Sequence, residues 1–272
     1  MKYLKALFEF YLKSSTHVSL AVTAFSGITM LHLDIKSNPC LLLFIFLGTI
    51  TGYNFIKYAA IARLQHFSLS NSLRMIQVYS LICFVGLVWV AFKLSAPVLF
   101  TAAALGLLNL LYAFPFYNGQ FNLRNITGAK IFVIALVWTG VTVWLPVLDG
   151  EISFSLDIGI ASIQRLMFVI VLTLPFDIRD IHFDTEQLGT VPQLMGVEKT
   201  RNIALLLLGL ILFLDILRPS TDWHEFGVLL IATVVTAWLV RKSVIQQNKY
   251  YATFWVEGVP VLWWILLMAV TV

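Results

Sequence analysis

The chain has 272 residues, 60% of them hydrophobic and only 12% charged, with a mean hydropathy of +0.89. A soluble domain carries about 25% charged residues, and no stretch here is polar enough to form one, so the composition implies a polytopic membrane protein. The net charge of +4 is modest, the two cysteines, Cys40 and Cys83, lie far apart, and there is no basic patch, which speaks against a nucleic-acid partner and a redox role.

Residues 3–12 put Tyr3, Leu4, Leu7, Phe8, Tyr11 and Leu12 on one helical face and lysines on the other. Residues 1–15 read as an N-terminal amphipathic segment lying on the membrane, or equally as a polar lead-in to the first span. Lys2, Lys5, Glu9 and Lys13, with no short apolar core and small-residue site after it, do not pattern as a cleavable signal. Nine apolar runs near the roughly 20-residue length of a span follow: 16–33, 40–62, 75–93, 97–114, 130–148, 158–176, 202–218, 223–240 and 254–272. Breakers such as Asn38-Pro39, Ser95-Ala96-Pro97, Asp149-Gly150 and Pro219-Ser220 separate them. The expected fold class is all-α, one transmembrane domain of nine helices over residues 1–272.

Alternating the runs from a cytoplasmic N-terminus puts 14 of the 18 Lys and Arg residues inside, leaving Lys36, Lys93, Arg165 and Arg218 outside. That bias sets the orientation and predicts an integral protein of the bacterial inner (cytoplasmic) membrane among its lipids. The longer polar loops, about 54–74, 115–129, 177–201 and 241–253, also fall inside. Loops on a rigid scaffold carry function, so chemistry is expected on that face.

The most informative stretch runs from Pro175 to Asp184. Asp177, Asp180 and Asp184 stand at i, i+3 and i+7, within roughly 60° of arc on a helix of 3.6 residues per turn. Three acids at a membrane edge repel one another unless a cation lies between them, and a hard divalent ion such as Mg²⁺, arriving with substrate phosphates, suits oxygen ligands. The alternative is a solvated acidic helix end. Gly189, Thr190-Val-Pro192 and Gly196 then allow a turn and a return into helix.

This arrangement, D-x-x-D-x-x-x-D followed by T-V-P and a glycine, resembles the second aspartate-rich motif of the UbiA-type intramembrane prenyltransferases. The nine runs, and the Leu111–Phe116, Arg124-Asn-Ile and Lys130-Ile-Phe segments, resemble that family's span count and its loop between spans four and five. The resemblance implies helices around a central cavity capped by cytosolic loops. It implies transfer of a prenyl group from an isoprenyl diphosphate to an aromatic or other lipophilic acceptor, such as a quinone precursor or lipid alcohol. It also implies Mg²⁺ held against the diphosphate by two facing aspartate motifs, with Asp177, Asp180 and Asp184 as metal ligands and Asp180 and Asp184 as catalytic residues. The family's first motif, N-D-x-x-D-x-x-x-D, survives here only as Asn54; Phe55, Tyr58 and Ala62 replace its acids, and no carboxylate occurs between Asp34 and Asp149.

Expected substrate-binding residues are Asn54, Lys57, Tyr112, Arg124, Lys130 and Arg179. Lys57, Arg124 and Lys130 suit phosphate oxygens as cations, or serve only to set orientation. Tyr112 lies near Asn109, and Arg179 sits among the aspartates, where it can pair with one of them. Glu257, followed by Gly258 and Pro260, reads as a functional acid or as a helix irregularity. The functional expectation is a divergent prenyltransferase. The alternative is a catalytically degenerate relative that binds lipid or a partner. A transporter would favour mid-membrane acids or an inverted repeat, and neither is evident.

Overall fold

Helix start signals fall where the breakers of the sequence predict them. In the computed structural model, which describes residues 2–64, 71–113, 128–184, 188–219 and 221–271, Pro39 opens α3 (Pro39–Leu64) and Ala96-Pro97 opens α5 (Ala96–Ala113). A proline in the first turn loses no helical hydrogen bond. Between them lies α4 (Asn71–Ala91), and before them α1 (Lys2–Lys13) and α2 (Thr16–His32). The fifth apolar run is one bent rod: α6 (Ala129–Thr139), a π-helical turn over Gly140–Trp144, and α7 (Leu145–Asp149). The long α8 (Leu156–Asp180) starts on Ser155, whose side chain accepts from Ile158 N. A short α9 (Val191–Met195) precedes α10 (Val197–Ile216). Asp222 caps α11 (Trp223–Lys242), its side chain accepting from His224 N and Glu225 N. The last run is a π-helical turn, Tyr251–Val256, and α12 (Val259–Thr271). Among the described residues there is no strand.

Every one of the nine expected runs meets helix, and among the described residues seven segments are long and apolar enough to cross a membrane. The first and seventh expected spans are not among the seven. The α2 helix has 17 residues, and α10 carries Glu198, Lys199, Arg201 and Asp215. Large apolar side chains such as Leu81, Val85 and Trp89 stand exposed on α4, as a lipid-facing helix requires.

The α2 helix is the central post, buried along most of its length. Its sequence allows this because its polar groups are satisfied within the helix. Ser19, Thr23, Ser26 and Thr29 each donate to the carbonyl four residues back, at 2.7, 2.8, 3.2 and 3.1 Å, so they enter the core without stranded hydroxyls. Gly27 lets α12 approach, since a Cβ there would overlap the Trp264 ring. Phe25 of α2 meets Phe168 and Trp263 edge-to-face, and those two meet tilted, with centroids 5.1 to 6.0 Å apart, which ties α2, α8 and α12 together.

One end of the bundle gathers the segments that the charge distribution puts on one face. Gln247 donates to Pro175 O at 2.7 Å, Tyr58 to Lys13 O at 2.8 Å, and Lys249 to Glu9 at 2.7 Å. The two neighbouring ammonium groups, Lys249 and Lys13, hold the Glu9 carboxyl down to about 2. Phe8 of α1 packs edge-on against Tyr250 and Phe254, while Tyr3, Leu4 and Leu7 stay exposed. The amphipathic face of α1 is therefore divided between the bundle and its surroundings. We call this the aspartate end.

Candidate functional site

The site grows from the last two turns of α8. Pro175 lies inside the helix, yet the helical path continues past the last assigned turn. Asp184 N and Phe183 N both reach Asp180 O at 2.8 Å. Seven residues are nearly two full turns, so Asp177 and Asp184 lie about 20° apart around the axis, whereas Asp180 is rotated about 60° aside. The pair meets a cation from elsewhere in the chain. Lys130, in the first turn of α6, puts its Nζ 2.9 Å from Asp177 Oδ1 and 2.9 Å from Asp184 Oδ2. Side-chain exposure is 3% for Asp177, 10% for Asp184 and 16% for Lys130, so the three charges are largely out of water and depend on one another.

Two local devices hold this triad. Gly128, with φ of 75°, starts α6 and donates its N–H to Leu188 O at 2.9 Å, which fixes the start of α6 beside the segment that follows α8. The Thr-Val-Pro stretch supplies the other. Gln193 Oε1 accepts from Thr190 N at 2.9 Å, and Gln193 Nε2 donates to Asp184 O at 3.0 Å. Thr190-Val-Pro192 thus builds a capped turn whose glutamine clamps the backbone of Asp184.

Asp180 goes to Arg179. Nε donates to Oδ1 at 2.7 Å and Nη2 to Oδ2 at 2.8 Å, a two-pronged pair with the guanidinium also 5.2 Å from the Phe176 ring centre. Adjacent residues on a helix normally face apart, and the long arginine stem overcomes that.

The region expected to face these acids does something else. Asn54 donates to Ser14 O at 2.9 Å and to Ser80 Oγ at 2.8 Å, and accepts from Ser15 Oγ at 2.8 Å. Ser15 sits at a φ of 61° between α1 and α2, a strained conformation for a residue with a Cβ, and Asn54 pins it. Lys57 Nζ donates to Lys13 O at 3.2 Å. Asn54, Lys57 and Tyr58 therefore fasten the α1–α2 corner, and their polar atoms already have protein partners. Phe55 is 53% exposed. Arg124 lies outside the described residues.

One turn along α6 from Lys130, at Ile134, begins the wall of a cavity of about 1280 Å³, lined mostly by apolar side chains of α3 to α6, with Tyr53, Tyr58, Asn109, Tyr112 and Trp138 among them. Trp138 Nε1 donates to Tyr53 OH at 2.8 Å. Lys130, Ile134 and Trp138 stand at i, i+4 and i+8 on α6, which is one stripe of that helix. The stripe carries the lysine at its start and cavity wall farther on. Phe55 and Tyr58 line this space without filling it. Tyr112 reaches the cavity as expected. Glu257 is half-buried on the irregular turn before α12, near enough to Lys57 and Arg179 for their charges to act on it.

Magnesium does not fit these residues as they stand. Among the described residues no three acids or other metal-ligating side chains converge on a point that a metal could take. The expected set is divided: Asp177 and Asp184 share Lys130, and Asp180 is held by Arg179. Arg179 was legible as a cation among the acids and Lys130 as a cation for phosphate oxygens; the lysine's place between two of the acids was not, because 54 residues separate Lys130 from Asp184.

No family model matches the chain, and no curated relative matches its sequence. Solved structures do match. A UbiA homologue from Archaeoglobus fulgidus bound to GPP and Mg²⁺ has a TM-score of 0.64 at 11% identity, over 96% of this chain and 99% of that one. The apo UbiA homologue from Aeropyrum pernix K1 gives 0.60 at 14% identity, over 93% and 98%. A structure described in connection with digeranylgeranylglyceryl phosphate synthase gives 0.56 at 16% identity, over 99% and 97%. The likeness extends over almost the whole chain in each case and is one of fold.

Proposed function

We propose that this membrane protein, whose fold is that of UbiA homologues, binds an isoprenyl diphosphate and transfers its prenyl group to a lipophilic acceptor. The apolar chain lies in the 1280 Å³ cavity and the diphosphate at the aspartate end. The 14-to-4 distribution of basic residues supports a cytoplasmic position for that end. The observation that carries the reading is the single stripe of α6 that joins the Lys130 ammonium to the cavity wall at Trp138. It brings a fixed cation and a dry aromatic space together, as cleavage of an allylic diphosphate needs. Structures of the Archaeoglobus homologue were solved with GPP and with DMAPP, each with Mg²⁺.

In the reaction the bond between the allylic carbon and the diphosphate oxygen breaks, and its electron pair leaves with the diphosphate. Lys130 has three N–H groups. Among the described residues two go to Asp177 and Asp184, and we assign the third to a diphosphate oxygen. Asp177 and Asp184 then act as positioning residues for the ammonium, and Asp180 does the same for Arg179. The cationic allylic fragment is stabilised by the faces of Tyr53, Tyr112 and Trp138 until the acceptor bonds to it and releases a proton.

The test is prenyl transfer by the purified chain from geranyl, farnesyl or geranylgeranyl diphosphate to quinone precursors and lipid alcohols. Lys130→Ala and Asp184→Asn are expected to lower the rate on the order of 10²-fold, the usual loss when an electrostatic donor is removed. Turnover indifferent to both substitutions overturns the reading. The engagement of Asn54 with Ser14, Ser15 and Ser80 favours a second reading, a relative that keeps the cavity for lipid binding and no longer transfers. It predicts lipid binding with no turnover from any donor.

A further inference from the structure

We infer that Lys130 takes the place of a divalent ion at the aspartate end, so that the chain itself holds no magnesium there. The inference deepens the proposed function, since it concerns how the same anion is met, but it rests on side-chain geometry and its test needs no turnover.

The first argument is position. One ammonium lies 2.9 Å from an oxygen of each of two carboxylates two helical turns apart, which is where a shared ion would sit. The second is burial. With Asp177 and Lys130 largely out of water, an entering ion has to expel the ammonium into a region that offers it little solvent, and breaking a buried pair leaves an uncompensated charge. Magnesium also gives up its own water reluctantly and demands near-ideal octahedral geometry. The third is ligand count. Asp180 has both oxygens on Arg179, and Asn54, on the opposite side of the expected cage, has its side chain engaged by three serines. Phe55 and Tyr58 offer no carboxylate. The residues that would complete six oxygen ligands are absent or engaged.

The arrangement has a chemical consequence. Asp177 and Asp184 with Lys130 carry one net negative charge, where a divalent ion would leave the pair neutral. An anionic head group at this end is therefore met by a directed N–H of Lys130 against a net repulsion that a bound divalent ion would have removed, and its binding is indifferent to chelators.

The experiment uses the full chain in detergent and Mn²⁺ as a paramagnetic probe, with and without inorganic pyrophosphate. The natural chain is expected to leave Mn²⁺ free at about millimolar concentration, in the weak range of protein cation sites. Lys130→Met is expected to gain a site, tighter by on the order of tenfold or more, the scale on which single changes around a metal tell. Adding Asp177→Asn to that variant should remove it. Mn²⁺ bound by the natural chain as tightly as by Lys130→Met overturns the inference. Should Lys130→Met fail to fold, the melting temperature of the natural chain decides: no shift between EDTA and magnesium supports the inference, and stabilisation by magnesium overturns it. Absent prenyl transfer with Mn²⁺ still free would defeat the proposed function alone, whereas transfer that requires bound Mn²⁺ would defeat the inference alone.

Discussion

The two ends of α8 each carry a cluster of charges, and they are built differently. At the start of the helix, away from the aspartates, Arg218 of the segment after α10 has 2% of its side chain exposed and reaches Asp215 at 3.3 Å and Asp157 at 3.6 Å. It also donates to His32 O at 3.0 Å. Gln164 adds a bond to Asp215 at 3.1 Å, and His32 faces Glu225 at 3.7 Å. Deeper in, Arg165 lies 3.9 Å from the centre of the Phe25 ring and donates to Thr29 Oγ1 at 3.3 Å. The space beside it is about 20 Å³, enough for one water. At the other end, the α6 stripe that starts at Lys130 becomes, at Ile134 and Trp138, the wall of about 1280 Å³ of cavity. The first cluster crosslinks α2, α8, α10 and α11 and has no room for a ligand. The second, among the described residues, has two acids on the three N–H groups of Lys130 and lies one turn of α6 from a large space. Buried charge alone does not mark a binding site; charge next to space does.

The contrast breaks most readily at Arg218. Arg218→Met leaves Asp215 and Asp157 without their buried cation and is expected to cost about 3–5 kcal/mol of stability, measured by thermal unfolding in detergent. Removing Asp215 together with Arg218 should cost less than the sum of the single changes. Lys130→Met is expected to cost less than Arg218→Met in the same assay, because Lys130 and Asp184 are 16% and 10% exposed where Arg218 and Asp215 are 2% and 3% exposed. The reverse order would mean that the aspartate end is the structural cluster. A smaller effect sharpens the reading of the degenerate first motif. Asn54→Ala strands Ser15 Oγ and Ser14 O, and is expected to cost about 1–3 kcal/mol while leaving diphosphate affinity unchanged in a binding titration. Lost affinity with unchanged stability would return Asn54 to the site.

Much of the fold was legible because its signals are local. The nine apolar runs and the prolines at the starts of α3 and α5 act within a few residues. The spacing of Asp177 and Asp184 also gave the shared face. What stayed illegible depends on partners far along the chain. Nothing in the sequence near Asn54 indicates Ser14 and Ser15, 40 and 39 residues away. Arg165 and Arg218 counted as outside charges in the topology, although both are buried, since a charge count ignores where a side chain ends. Seven qualifying spans against nine expected reflect the short α2 and the charges at the ends of α10.

The central claim is that an isoprenyl diphosphate lies with its head at Lys130 and its chain along α6. The most direct measurement is photolabelling of the full protein with a geranylgeranyl diphosphate bearing a diazirine at the far end of its chain, mapped by peptide mass spectrometry. The account predicts label on the cavity walls around Tyr53, Leu105 and Trp138, competed by unlabelled diphosphate and lost in Lys130→Ala. Label spread over the exposed face of α4, at Ile82, Val85 and Trp89, and indifferent to competitor, would contradict it.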